Sequence, residues 1–186
     1  MTRCPLDRLV ASTFRWRVLC TVATLLLLGN ASRADVIDRI MAVVSGRPIT
    51  LSEVNAALQF RLVEPPAGTR DPLAYALDRI VERTLMLSEV DRFQPPEPAA
   101  AEITVRVDAM EQRAGSAAAF DRALSVTGTS RDQLRRYIRD ELRTTTYLNQ
   151  RFGADTPEAE RNAAIAAWLA DLRRRAEITV QYVGRS

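Results

Sequence analysis

The side chains able to do acid–base chemistry in this sequence are carboxylates. Three pairs could be cast as acid and base: Glu82 with Glu89, Asp108 with Glu111, and Asp140 with Glu141. That role needs two carboxyl groups whose surroundings push their pKa values apart. Arginines instead stand at helical spacing around them, Arg79 and Arg83 beside Asp78 and Glu82, and Arg136 and Arg139 beside Asp140. Such spacing belongs to solvated helix faces laced with ion pairs. Histidine is absent and both cysteines, Cys4 and Cys20, precede residue 35. Beyond that point there is no imidazole base, no imidazole or thiolate metal ligand and no thiol nucleophile. No glycine-rich phosphate loop and no G-x-S-x-G elbow occurs. The expectation is a protein that is not an enzyme, with no catalytic or metal-binding residues and no cofactor.

The amino terminus carries Arg3, Arg8, Arg15 and Arg17, then an uncharged apolar run, Val18 to Leu28, then Ser32-Arg33-Ala34. A basic stretch, a short apolar core and small residues at minus three and minus one predict a secretory signal peptide over residues 1–34, cleaved after Ala34. The run is too short for a spanning helix, which takes about 20 residues. Cys20 lies inside the run rather than at its end, which argues against a lipoprotein signal. Export to the periplasm is therefore expected, with no membrane span after cleavage.

Removing the leader's five arginines and one aspartate from 26 basic and 23 acidic residues leaves 21 and 22, a formal charge of −1. The chain's formal charge of +3 thus belongs to the leader, and no nucleic-acid partner is expected. Residues 35–186 form a chain long enough to bury about 68 to 70% of its unfolded surface as one domain without disulfides.

The elements that would position any site follow from periodicity. From Val36 a β-branched run, a Ser45-Gly46-Arg47 turn and Pro48-Ile49-Thr50 predict a hairpin whose second strand lies at an edge, because Pro48 has no N–H. Thr50-Leu51-Ser52-Glu53 fits a capping box opening a first helix from Leu51 to about Val63. Asp71-Pro72 opens a second, over Pro72 to Phe93, whose wide apolar stripe makes it the most buried. Ile103, Val107, Met110 and Ala114 mark a third, although its β-branched start also reads as strand. A fourth spans Ala117 to about Val126, with Phe120 and Leu124 inward and Gly128 as its stop. Ser130 to Gln133 caps a long fifth helix that closes at Gly153, and Thr156-Pro157 opens a sixth. Trp168 on that helix, spaced with Ile165 and Leu172, reads as core. Ala176 to Val183 alternates as a strand. A hairpin alone is marginal, so this last strand is expected to join it. The fold class is mainly α with a small β-sheet, the terminal strand pairing with the amino-terminal hairpin.

The segment Val36-Ile-Asp-Arg-Ile-Met-Ala-Val-Val-Ser-Gly-Arg-Pro-Ile-Thr-Leu-Ser-Glu-Val54 resembles the start of the mature SurA-type periplasmic chaperones. Leu77 to Leu87 looks like that family's second helix, and Phe120 to Leu142 like its fourth helix, loop and long fifth helix. Trp168 to Ile178 resembles its carboxy-terminal helix and strand. The order of these segments spans nearly all of residues 35–186, with 35–153 as the amino-terminal module and 154–186 as the carboxy-terminal helix and strand. SurA-type proteins usually carry parvulin-type prolyl isomerase domains of roughly a hundred residues between the last two helices. Only Gly153 to Ala164 occupies that gap here, so isomerase activity does not carry over.

The resemblance implies an ATP-independent holdase that binds unfolded outer-membrane protein segments in an apolar groove with a polar rim. The first and third helices, less completely apolar than the second, are the expected walls, and Leu58, Phe60, Leu62, Phe93 and Met110 the expected peptide contacts. The alternative is a structural module of envelope assembly that forms a homodimer and holds no clients.

Overall fold

Thr50 ends a strand and caps a helix at once, and this places the hairpin directly against the helical body. The computed structural model describes residues 38–184. The expected signal peptide, its cleavage site and the start of the first strand at Val36 lie outside them.

β1 (Ile40–Val44) and β2 (Arg47–Thr50) are antiparallel, with Val44 opposite Arg47. The turn is therefore the two residues Ser45 and Gly46, one shorter than expected. Both have positive φ, 48° and 82°, the combination a right-twisted hairpin favours and glycine tolerates without cost. β3 (Ile178–Val180) pairs antiparallel with the other edge of β1, giving the order β2-β1-β3. The two distant segments thus share one sheet, and Pro48 sits on an edge strand. The inner face of the sheet buries Met41, Val44 and Ile49.

α1 (Leu51–Gln59) begins at Thr50, whose hydroxyl accepts from the Glu53 N–H. It ends four residues before the expected Val63. The Leu62 N–H donates to the Ala57 carbonyl at 2.8 Å and the Arg61 N–H to the Leu58 carbonyl at 3.1 Å. This is a Schellman closure, and it requires the residue between, Arg61, to be left-handed at φ 53°. Glycine normally fills that position, since a side chain there costs about 1–2 kcal/mol.

α2 (Pro72–Phe93) has the expected bounds. The Asp71 carboxylate accepts from the Ala74 N–H at 2.9 Å, and Pro72 occupies the first turn where its missing donor is harmless. Eight of its residues, from Ala76 to Val90, are buried, so it is the central element. α3 (Ala100–Arg113) is helical despite its β-branched start, but buries only Val107. α4 (Ala117–Thr127) turns Phe120 and Leu124 inward and stops at left-handed Gly128. α5 (Arg131–Phe152) starts with the expected reciprocal capping box of Ser130 and Gln133. α6 (Glu158–Arg175) buries Trp168 and Leu172. Among the described residues no helix is long and apolar enough to cross a membrane.

The core has two parts. One gathers the sheet, α2, Tyr147, Trp168 and Leu172; the other gathers Ala56, Phe60, Val107, Phe120, Leu124, Leu134, Ile138 and Leu142. α5 runs through both, with its first half in the second cluster and Tyr147 in the first. The largely buried Arg143 of α5 reaches Asp91 at 2.9 Å and Glu97 at 3.3 Å, which ties down the proline-rich connection after α2. At the far end the Tyr182 hydroxyl donates to the Asp71 carboxylate at 3.1 Å, fastening the segment after β3 to the α2 cap.

Candidate functional site

Two concavities lie beside α1, and each mixes apolar with charged lining residues. The first, about 390 Å³, lies among the hairpin, α1, α2 and α5. Its central group is Arg83, which donates to the Tyr137 carbonyl at 3.1 Å, lies 3.8 Å from the centre of the Tyr137 ring and 3.8 Å from the Asp140 carboxylate. The sequence paired Arg83 with Asp78 and Glu82 on its own helix. It crosses instead to α5, because α2 is central and that side of it faces another helix. Asp78 and Glu82 take Arg79 and Arg173 as partners.

Burial raises the Glu53 carboxyl above its ordinary range, and Arg47 and Arg83 offset this only in part. Burial likewise raises the Tyr137 phenol, so it stays protonated at neutral pH. Asp38 behaves oppositely. Burial would raise it, but hydrogen bonds from Ser52 and Thr50 outweigh that and hold it low. The Ser52 hydroxyl donates to this Asp38 carboxylate, and a carboxylate held low is a weak base toward a hydroxyl. Arg47, Arg83 and Arg136 face Asp38, Glu53 and Asp140 across the cavity. Three arginines and three carboxylates thus line the cavity, and Arg83 bridges α2 to α5 across it.

Of the remaining carboxylates singled out for acid–base roles, four stand beside arginines: Glu89 at 3.2 Å from Arg92, Glu111 at 2.7 Å from Arg131, Asp140 at 2.8 Å from Arg139 and Glu141 at 3.6 Å from Arg106; Asp108 has no ion pair among the described residues. Exposed pairs of this kind contribute about 0–1 kcal/mol each.

The second concavity lies where α1 ends, between α3 and α5. One hollow of about 740 Å³ has Leu62, Ala109, Met110 and Ile138 as its apolar lining and Arg61, Arg106, Gln112, Arg113 and Glu141 as its polar lining. A second, about 300 Å³, is lined by Gln59, Phe60, Ala114, Phe120 and Ala123, and shares Arg61, Met110 and Arg113 with the first. α3 packs on the body through buried Val107 and partly buried Ile103, Met110 and Ala114.

Of the five expected contacts, Leu62 and Met110 line this groove, and Phe60 forms part of its floor. The open contact expected of Phe60 is corrected: it is 7% exposed and sets its ring against Phe120 at 5.6 Å and 66°. Leu58 is half-covered and packs on the sheet-side core. Phe93 is 59% exposed, but it lies at the end of α2 against Tyr147, in the company of the other core cluster. The five do not share one surface. Sequence reasoning missed Arg61, Arg106, Arg113 and Ile138, since periodicity shows which helix face is apolar but not which neighbour leaves that face uncovered.

No protein-family model matches the chain, and comparison with curated proteins finds no match either.

Proposed function

We propose that the protein is an exported, ATP-independent holdase of the periplasm that binds extended segments of unfolded outer-membrane proteins and catalyses no reaction. The observation that carries this reading is the open groove between the end of α1, α3 and α5, where Leu62, Met110 and Ile138 stand among arginines, walled by a helix that fully buries only Val107. A chaperone of this kind needs apolar surface presented to a passing chain, with polar edges that keep it soluble when empty. The order of segments resembling SurA-type chaperones supports the same reading, as does the leader with its basic stretch, apolar run and Ser32-Arg33-Ala34. Occupancy would come from main-chain and apolar side-chain contacts along an extended client, the usual mode for peptide grooves.

The test is suppression of aggregation. The protein is expressed with its own amino terminus in a bacterial host, purified from the periplasmic fraction and added in stoichiometric amount to a urea-unfolded β-barrel protein on dilution. Slower growth of light scattering, without nucleotide, is expected. Scattering that rises equally fast with and without the protein refutes the reading. The dimerising alternative predicts the same lack of protection together with a stable dimer in sedimentation. A mass showing an intact residue 1 would refute the cleaved leader.

A further inference from the structure

Resting on that reading, we infer that the groove selects client segments in which carboxylates flank an apolar residue. The charge on its rim is unbalanced. Arg106 is held by Glu102 at 3.7 Å and Glu141 at 3.6 Å, and Glu141 is the one acid that lines the larger hollow. Arg61 and Arg113 have no ion pair among the described residues. Two arginines without an ion pair therefore line the same two hollows as Met110. Each presents a fork that matches a carboxylate.

A second observation comes from the backbone. Arg61 holds the left-handed position of the α1 closure at φ 53°, where glycine would sit without strain. Strained positions persist where the surrounding structure and a function hold them. The closure needs the left-handed turn but gains nothing from a guanidinium; the rim of the groove does. Acidic residues at both ends of a bound segment meet these cations while the apolar residue between them enters the Leu62, Met110 and Ile138 lining. Opposite charge at an exposed rim acts on specificity and encounter rate more than on total affinity, so the preference is modest and salt-sensitive.

Three fluorescent peptides, identical in their central phenylalanine and leucine and flanked by aspartates, serines or lysines, are titrated into the full protein by anisotropy. The aspartate peptide is expected to bind about tenfold more tightly than the lysine peptide at 0.01 M salt, with the serine peptide between them. The preference collapses toward parity at 1 M salt, where the screening length is about 3 Å. R113E is expected to reverse the order of the aspartate and lysine peptides. R61G is expected to raise the melting temperature while weakening the aspartate peptide alone, a combination that a merely structural arginine would not give. Equal binding of all three peptides at low salt, or an R113E protein with unchanged preference, overturns this inference and leaves the holdase reading standing. Failure of every peptide to bind overturns both. A dimer that dissociates on R113E substitution places a second copy in the groove and overturns the inference as well.

Discussion

Thr179→Pro and Val180→Pro differ by one position yet are expected to behave very differently. The reason lies in the register of β3. The Ser45 N–H donates to the Glu177 carbonyl at 2.8 Å and the Gln181 N–H to the Met41 carbonyl at 2.9 Å, with Thr179 opposite Val43 between them. In an antiparallel pair such bonded positions alternate. Residues 177, 179 and 181 therefore turn their backbone groups toward β1, while residues 178 and 180 turn theirs to the open edge. Proline at 179 removes a ladder donor and leaves the Val43 carbonyl of the central strand unpaired. Losing the bond costs about 1 kcal/mol and the unsatisfied carbonyl about 1–3 kcal/mol more. Proline at 180 removes an N–H that faces solvent, so its cost is about 1 kcal/mol or less, mostly from adjusting φ. For a domain of this size about 1 kcal/mol shifts Tm by roughly 2–4 °C. Thr179→Pro should thus lower Tm by about 5–15 °C and Val180→Pro by no more than about 4 °C. Thermal melts followed by circular dichroism, with urea titrations of the same proteins, read this directly. If the two substitutions cost the same, or if Thr179→Pro leaves the melt unchanged, the closure of the chain ends through β1 and β3 is wrong.

Two further outcomes follow from the same coordinates. Phe60→Ala should destabilise by about 3–5 kcal/mol, because the ring is buried against Phe120, whereas Phe93→Ala at the exposed end of α2 should cost about 1 kcal/mol. Comparable urea midpoints for the two would refute the placement of Phe60 in the core. Glu53 carries a raised carboxyl in the folded protein, so folding takes up a proton there more readily than the unfolded chain does. Its contribution to stability grows as pH falls from above the raised value toward the unfolded value near 4.5, and Glu53→Gln should flatten that segment of the stability–pH curve. A Glu53→Gln profile parallel to the wild-type one through this window would show that the carboxylate is not desolvated.

The helices were largely legible from spacing and caps. Asp71-Pro72 and Ser130 with Gln133 are local signals: their hydrogen bonds run between residues three apart, so the residues involved are adjacent in sequence as well as in space. Gly128 likewise announced the end of α4, because positive φ is cheap only for glycine. The end of α1 was not legible for the converse reason, since Arg61 adopts that geometry with no glycine to mark it. The joining of β3 to the hairpin could be anticipated because a lone hairpin is too small to persist.

Tertiary structure alone decided the site. Met110 and Phe60 look alike in a hydropathy pattern, yet Phe60 is buried against Phe120 while Met110 stays half-covered on a groove. Arg83 follows Glu82 directly on its own helix, but α2 is so central that this side chain meets α5 instead. Local patterns report which face of an element avoids water. Which part of that face is left uncovered, and which charges are left unmatched around it, depends on neighbours distant in the chain, and those are chosen by packing.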